Sequence, residues 1–277
     1  MNAVEKNRIK RASKAVWGAT PAGWTFGQGY EKGTKEFFES VLNKRFSYEC
    51  DWLDEIVEFK RFKSKKVLEI GCGAGYDAYQ FCKHGAVYTG IDITPDNPVI
   101  AQKHLSYYGY QAHIQEMDVE QLSWQNQFDY VYSFGVLHHT PDIQKAVRNI
   151  YNSLKVGGEA QIIVYYKYSI FYALHVVLCD WILRLKFLKI SLKDRRSKIE
   201  HTASSELPLV NVYSKYQLKK ILKNAGFTII TTGIRKLVLE ELPDIPVVRG
   251  FYKFIPASVL QKLSHYFGWY VSVRAIK

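Results

Sequence analysis

The chain has 277 residues, 47% of them hydrophobic, with 38 Lys and Arg against 26 Asp and Glu for a formal charge of +12. That apolar content allows one sizeable domain with an accessory layer, and the basic balance suits an anionic partner (nucleic acid, acidic lipid or anionic substrate) or a lineage-wide composition. Cys50, Cys72, Cys82 and Cys179 form no C-x-x-C pair and no zinc spacing, and the opening MNAVEKNRIKRASK has no apolar signal core, so a reduced, cytoplasmic protein is expected.

Residues 1–15 carry five cations against Glu5 and read as a frayed or amphipathic arm. A Gly- and aromatic-rich loop starts at Trp17. Thr34 then reads as the N-cap of a helix bearing Phe37, Phe38, Val41 and Leu42 on one side. A second helix is expected over Asp51–Phe59. Residues 1–63 thus form a helical leader, and 64–277 a second unit.

From Lys66 the pattern becomes alternating strand and helix, the signature of a parallel α/β sheet. Strands are expected at Lys66–Ile70, Val87–Ile91, Ala112–Met117, Phe128–Ser133 and Ala160–Tyr165. Helices are expected over Pro95–Tyr108 and Pro141–Leu154, the latter stopped by Gly157 and Gly158. Residues 166–213 interrupt the rhythm: IFYALHVVLCDWIL is nearly all apolar, and a cationic run follows it. At about 20 residues for a span, the apolar run is too short to cross a membrane comfortably. A helix at Ser214–Ala225, a strand at Phe227–Thr232, an irregular Pro-containing stretch and a last strand at Trp269–Ile276 complete the chain.

The chemistry should gather where the strands end, because open parallel sheets bind ligands beyond their carboxyl ends. VLEIGCGAGYD, Val67 to Asp77, reads as strand, glycine turn and helix start, a design for a nucleotide-like ligand. Asp92 closes the second strand, where a carboxylate can accept both ribose hydroxyls. Asp118 closes the third, where it can accept from an adenine amino group. Each acid alone could be a helix cap or a solvated loop residue; two acids and a glycine turn at successive strand ends weaken that alternative. A dinucleotide oxidoreductase needs its third glycine at position 76, which is Tyr76; here it falls at Gly75.

VLEIGCGAGYD, GIDIT, EMDVE, FDYVYSFGVLHHTPD and LKVGGEAQIIVYY together resemble, in order and spacing, the motifs of class I S-adenosylmethionine-dependent methyltransferases. The flanks WGATPAG…GTKEFFESVLNKRF, VYSKYQLKKILKNAGF and GWYVSVRAIK resemble a bacterial subgroup acting on small molecules. The resemblance implies a Rossmann-like seven-stranded sheet, helices on both faces, the last strand antiparallel, an N-terminal lid and a cap over 166–213. It implies S-adenosylmethionine as cofactor, S-adenosylhomocysteine as product, and no metal. Carried over, Gly71, Cys72, Gly73 and Gly75 would face the methionine part, with Glu69 ordering it. Asp92 would bind ribose and Ile93 adenine. Met117, Asp118 and Val119 would frame adenine, and Ser133, Phe134 and Gly135 would line the methyl-transfer end. Tyr30 and the Gly33–Thr34 turn would close as the lid.

For a hydroxyl acceptor a base is needed. His138 is the first candidate and His139 the second; either could instead hydrogen-bond its loop. Tyr165, Tyr166, Tyr172 and His175 could face a small aromatic or apolar acceptor. The apolar stretch from Ile170 reads either as a cap helix buried against the sheet or a partner subunit, or as an interfacial helix on an acidic membrane admitting a lipidic acceptor. RNA methylation fits the charge, but no RNA-binding appendage is visible. A non-catalytic cofactor-binding protein is the non-enzyme reading. Oligomeric state is open.

Overall fold

In a computed structural model of the protein, residues 1–200, 205–243 and 250–277 are described. Seven strands, β1 (Lys66–Ile70), β2 (Val87–Asp92), β3 (His113–Glu116), β4 (Phe128–Phe134), β5 (Leu154–Tyr165), β6 (Thr228–Arg235) and β7 (Tyr270–Ile276), pair in the order β3-β2-β1-β4-β5-β7-β6. β1 to β5 are parallel, and β7 runs antiparallel to both its neighbours. The order reverses at β1, which pairs with both β2 and β4, so the ligand crevice is expected above these three strands.

Helices α1 (Ala3–Ala19), α2 (Lys35–Lys44) and α3 (Leu53–Val57) precede the sheet, and α4 (Tyr76–Lys83), α5 (Asp96–Ser106) and α6 (Ile143–Ser153) connect its strands. α7 (Leu192–Ser197) belongs to the cap, while α8 (Lys215–Asn224) and α9 (Ala257–Phe267) flank β6. Parallel strands covered on both faces need apolar residues on both, and alternate side chains serve the two cores. Val67, Tyr130, Tyr132 and Ile163 pack with Phe81 and the leader residues Trp52, Leu53 and Phe59. Leu68, Ile70, Val131, Ile162 and Val164 pack with Ile150 and Leu222 on the other face.

Thr34 caps α2 by accepting from Phe37 N at 3.3 Å, and Phe37, Phe38, Val41 and Leu42 are buried beneath it. Ser214 and Gln217 form a reciprocal capping box on α8. Gly226 ends that helix region at φ 108°, where a Cβ would meet the Tyr151 ring.

Three expectations need correction, and one pair of alternatives is decided. The basic N-terminus is not frayed but amphipathic. It forms α1, burying Ile9, Ala12 and Val16 at helical spacing. On its other side Lys6, Lys10 and Lys14 reach Asp142, Asp118 with Glu120, and Glu116. The second leader helix is shorter than expected, Leu53–Val57, because Glu58 turns left-handed at φ 56°. Gly157 and Gly158 do not stop α6, which already ends at Ser153. They lie inside β5, where pairing with β4 shifts register between Phe128 and Tyr130. The stretch before the last strand is not irregular throughout, since α9 occupies Ala257–Phe267. Residues 201–204 of the cap and 244–249 of the Pro-containing stretch lie outside the described residues.

The cap begins as a π-helical segment, Phe171–Leu183. It is two-faced: Tyr172, Val176 and Asp180 are buried, whereas Leu174, Leu178, Ile182 and Leu183 are exposed. Asp180 is held by Arg184, Lys186 and Arg195, which keep its carboxyl down at about 2 despite burial. No helix among the described residues is long and apolar enough to cross a membrane.

Candidate functional site

A cavity of about 330 Å³ opens above the carboxyl ends of β1, β2 and β4, at the reversal point of the sheet. Its floor is the turn after β1. Gly71, Gly73 and Gly75 all have positive φ, at 75°, 51° and 79°. The three are not equivalent. A Cβ on Gly71 would strike the Val136 side chain at 2.2 Å, and one on Gly75 would press on Ala101 of α5 at 3.0 Å. At Gly73 nothing lies within 4 Å, so its missing side chain leaves room above the turn. Gly73 N donates to Asp92 Oδ2 at 2.9 Å, and Thr94 N and Oγ1 donate to Asp92 Oδ1, each at 2.9 Å. The glycine turn and the end of β2 are thereby fixed to one carboxylate.

At one end of the cavity Arg45 and Asp77 form a buried ion pair, with Glu69 buried in the same lining. Arg45 forks onto Asp77, Nε to Oδ1 and Nη2 to Oδ2, both at 2.7 Å. Tyr132 Oη donates to Asp77 Oδ2 at 2.9 Å, and Tyr88 Oη donates to Glu69 Oε2 at 2.6 Å. Burial, with Asp77 beside it, pushes the Glu69 carboxyl well above the usual carboxylate range. Arg45 lies 5.2 Å over the Phe134 ring.

Above the ends of β2 and β3, α1 forms the roof. Lys10, Ser13 and Trp17 line the cavity with Ile93, Met117, Asp118 and Val119. Lys10 Nζ stands 2.6 Å from Asp118 Oδ2 and 2.6 Å from Glu120 Oε2. Acidic side chains dominate the lining: Glu49, Asp77, Asp92, Asp118 and Glu200, with Glu69 held toward its neutral form, against Lys10 and Arg45. In a chain of charge +12 the cavity is thus an acidic site.

Beyond β4 lie the two histidines. His138 is fully buried and packs on Tyr165 at 3.8 Å between ring centroids, and it does not line the cavity. Burial, with His139 nearby, holds its imidazole well below the ordinary range. His139 does line the cavity. Its Nδ1 lies 2.6 Å from Leu209 O, and a carbonyl only accepts, so Nδ1 carries the proton and Nε2 the lone pair. Nε2 has no hydrogen bond among the described residues, and Glu200 Oε1 stands 3.8 Å from it. Burial lowers the His139 imidazole against the opposing pull of Glu200. Donor atoms of His138, His139 and Glu200 fall within 4.8 Å of one another. Within that cluster Tyr165 Oη donates to Glu200 Oε1 at 2.7 Å.

Of the residues singled out from sequence, Glu69, Gly71, Cys72, Gly73, Asp92, Ile93, Met117, Asp118, Val119, Phe134, Gly135, His139 and Tyr165 line this one cavity. Others do not. Tyr30 is exposed, and Thr34 Oγ1 is occupied by its capping role, so α1 roofs the cavity where that turn was expected to. Gly75 serves packing against α5. Ser133 Oγ turns through the sheet to Ile70 O at 3.4 Å. Tyr166 follows Tyr165 along an extended backbone and so joins the opposite core. Tyr172 and His175 lie in the cap away from the lining. Sequence reasoning missed Lys10, Arg45, Asp77 and Glu200, whose partners are distant in the chain. A helical spacing of Ile9, Ala12 and Val16 was the one available hint for α1.

Comparison with known proteins agrees with this geometry. A 31%-identical stretch of 137 residues is shared with a ubiquinone biosynthesis O-methyltransferase of Pseudomonas putida, covering 49% of this chain and 58% of the relative. A Coxiella burnetii protein of the same name is 34% identical over 98 residues, 35% of this chain and 42% of that protein. The chain thus matches only about half the length of these curated relatives, 58% of one and 42% of the other. Among solved structures, magnesium protoporphyrin IX methyltransferase from Synechocystis, with S-adenosylhomocysteine bound, superposes with a TM-score of 0.53 at 17% identity, covering 100% of this chain and 95% of that one. An S-adenosylmethionine-dependent methyltransferase from Methanosarcina mazei gives 0.54 at 16% identity, covering 80% and 97%. The family model described as methyltransferase domain matches residues 41–232, well over half the chain, which therefore belongs to the class I S-adenosylmethionine-dependent methyltransferases.

Proposed function

We propose that the protein transfers a methyl group from S-adenosylmethionine to a hydroxyl oxygen of a small aromatic or apolar acceptor. S-adenosylmethionine carries one net positive charge, and when bound it supplies the activated methyl group. The residues fit it. Gly73 leaves an uncrowded cradle, Asp92 holds a carboxylate at the end of β2, and the surplus of carboxylates complements a cation. Glu69 and the Asp77–Arg45 network would meet the amino-acid end, and Asp92, Ile93 and Met117–Val119 the nucleoside.

The observation that carries the oxygen reading is His139, a residue of the cavity lining whose buried Nε2 has no hydrogen bond among the described residues. Because burial keeps this imidazole neutral, it can take the acceptor's proton. His138, first choice from sequence, lies behind it and acts as packing. The names of the curated relatives, O-methyltransferases, support the same reading. The test is direct: incubate the protein and His139→Gln with methyl-labelled donor and cell extract, and identify labelled products. The variant should bind S-adenosylhomocysteine normally and lose about 100-fold or more in turnover. Equal turnover would remove His139 from the mechanism, and labelled RNA as the product would replace the small-molecule reading.

We further propose that the cap touches an acidic membrane. Its outward face presents Leu174, Leu178, Ile182 and Leu183, followed by Leu185, Phe187 and Leu188, with Lys189 and Lys193 exposed beside them. An apolar face with a cationic collar suits the interface of an anionic bilayer, from which an apolar acceptor could be drawn.

A further inference from the structure

His139 takes both of its polar neighbours from the cap. Leu209 O receives Nδ1–H, and Glu200 Oε1 faces Nε2. The surrounding cap backbone is tied to the sheet domain by Asn211 N to His138 O and Tyr213 N to Tyr165 O, both at 2.9 Å, and its two ends are joined by Lys167 N to Tyr213 O at 3.0 Å. Tyr165 Oη then fixes Glu200 from the end of β5. So the cap's main chain sets which nitrogen carries the proton, and the cap's carboxylate sets the field at the other.

We propose that Glu200 is a positioning residue that makes His139 a proton acceptor, and that the docked cap is what brings the two together. The inference rests on the reading of His139 as that acceptor. The acceptor hydroxyl's proton would pass to Nε2 and the oxygen would use the O–H electron pair to bond the methyl carbon, while the carbon–sulfur pair would stay on the sulfur of the departing S-adenosylhomocysteine; the imidazolium so formed would face the Glu200 carboxylate. Its proton is later released to water. Among the described residues, three titratable groups face His139. His138, at 4.0 Å between ring centroids, is held neutral by burial. The Tyr165 phenol, at 6.2 Å, is kept protonated by burial and by Glu200. Glu200, with Oε1 3.8 Å from Nε2, is the third and the one carboxyl group among them. Trp17, packed at 5.1 Å, has none.

The experiment needs no acceptor. Protein labelled with 15N-histidine and saturated with S-adenosylhomocysteine is titrated by imidazole NMR, with His139 assigned from His139→Gln. The native protein should show the Nδ1-protonated neutral tautomer at His139 and a midpoint below that of free histidine. Glu200→Gln keeps an oxygen for the Tyr165 hydroxyl, so the cap stays docked, and the midpoint should fall by about one pH unit. Failure to titrate before acid unfolding counts the same way. Tyr165→Phe leaves the charge but releases the carboxylate, and should move the midpoint down by less. An unchanged midpoint in Glu200→Gln, or an Nε2-protonated tautomer in the native protein, overturns the inference. Should Glu200→Gln not fold, Tyr165→Phe decides by the same criterion. Calorimetric binding of S-adenosylhomocysteine on the same samples tests the cofactor reading separately: its loss in the native protein would sink that reading, whatever the histidine does.

Discussion

Lys10 Nζ bridges Asp118 and Glu120, at 2.6 Å from each carboxylate, and so ties the roof helix α1 to the strand ends that frame the cavity. Its neighbours one turn away repeat the pattern, Lys6 to Asp142 and Lys14 to Glu116. The three pairs differ in exposure: Lys14 and Glu116 are open to solvent, whereas Glu120 is almost fully buried. Exposed pairs contribute little and are screened by salt, so the central bridge should dominate. Lys10→Met leaves Glu120 buried without its cation. It should lower the melting temperature, weaken S-adenosylhomocysteine about tenfold, and open α1 to trypsin. Lys14→Met should do none of these measurably. Equal behaviour of the two variants in calorimetry and proteolysis would show that α1 is held by its apolar face alone.

The glycine turn separates fold from ligand. Gly71→Ala places a Cβ 2.2 Å from Val136 at φ 75°, so both packing and backbone resist it, and the protein should lose several degrees of melting temperature. Gly73→Ala carries only the left-handed backbone cost, about 1 kcal/mol, and projects into uncrowded space. It should fold and yet bind S-adenosylhomocysteine at least tenfold more weakly. Normal cofactor affinity in Gly73→Ala would place the ligand elsewhere.

Glu69 offers a test with a defined pH direction. Burial and Asp77 raise its folded-state pKa above the unfolded value, so the protonated form is the one the fold prefers. The stability this contributes is fully present below the unfolded pKa, near 4.3, and is lost as pH rises through the folded pKa. Glu69→Gln removes that loss and keeps an acceptor for the Tyr88 hydroxyl. The variant should therefore melt higher than the native protein at neutral and alkaline pH, with the gap closing toward pH 4. It should also bind S-adenosylhomocysteine more weakly if the cofactor's ammonium draws the proton off Glu69 on binding. A melting difference independent of pH would show that Glu69 is not held protonated.

Much of this was legible in the chain. The core strands could be placed because buried parallel strands are short apolar runs ended by glycine or aspartate, as Lys66–Ile70 and Val87–Asp92 are. Asp92 and Asp118 could be placed on the cavity because they close such strands. What stayed hidden depends on contacts between distant residues. Lys10 looked like part of a solvated basic run until its partners at 118 and 120 were known. His138 and His139 are adjacent and chemically identical, and only Leu209, 70 residues on, distinguishes them. Thr34 caps α2, as its place before Phe37 and Phe38 indicates, but sequence alone does not tell a capping threonine from one that also meets a ligand.

The cap face can be tested apart from the chemistry. Leu178 and Leu183 are 40% and 66% exposed on the face opposite Tyr172, Val176 and Asp180. Inserting such side chains into a bilayer interface is favourable by roughly 1.5–3 kcal/mol each if fully buried, and nearby lysines add about 1 kcal/mol apiece on an anionic surface. The protein should therefore cosediment with phosphatidylglycerol vesicles at low salt and much less with phosphatidylcholine. The double change Leu178→Glu, Leu183→Glu should reduce vesicle binding more than tenfold while leaving the melting temperature and S-adenosylhomocysteine affinity unchanged, since neither residue touches the cavity. Raising salt should weaken binding only in part, because the apolar contribution is unscreened. Absence of vesicle binding by the native protein would leave this face to another partner; binding equal in native and variant would assign it to the basic charge of the whole chain rather than to the cap.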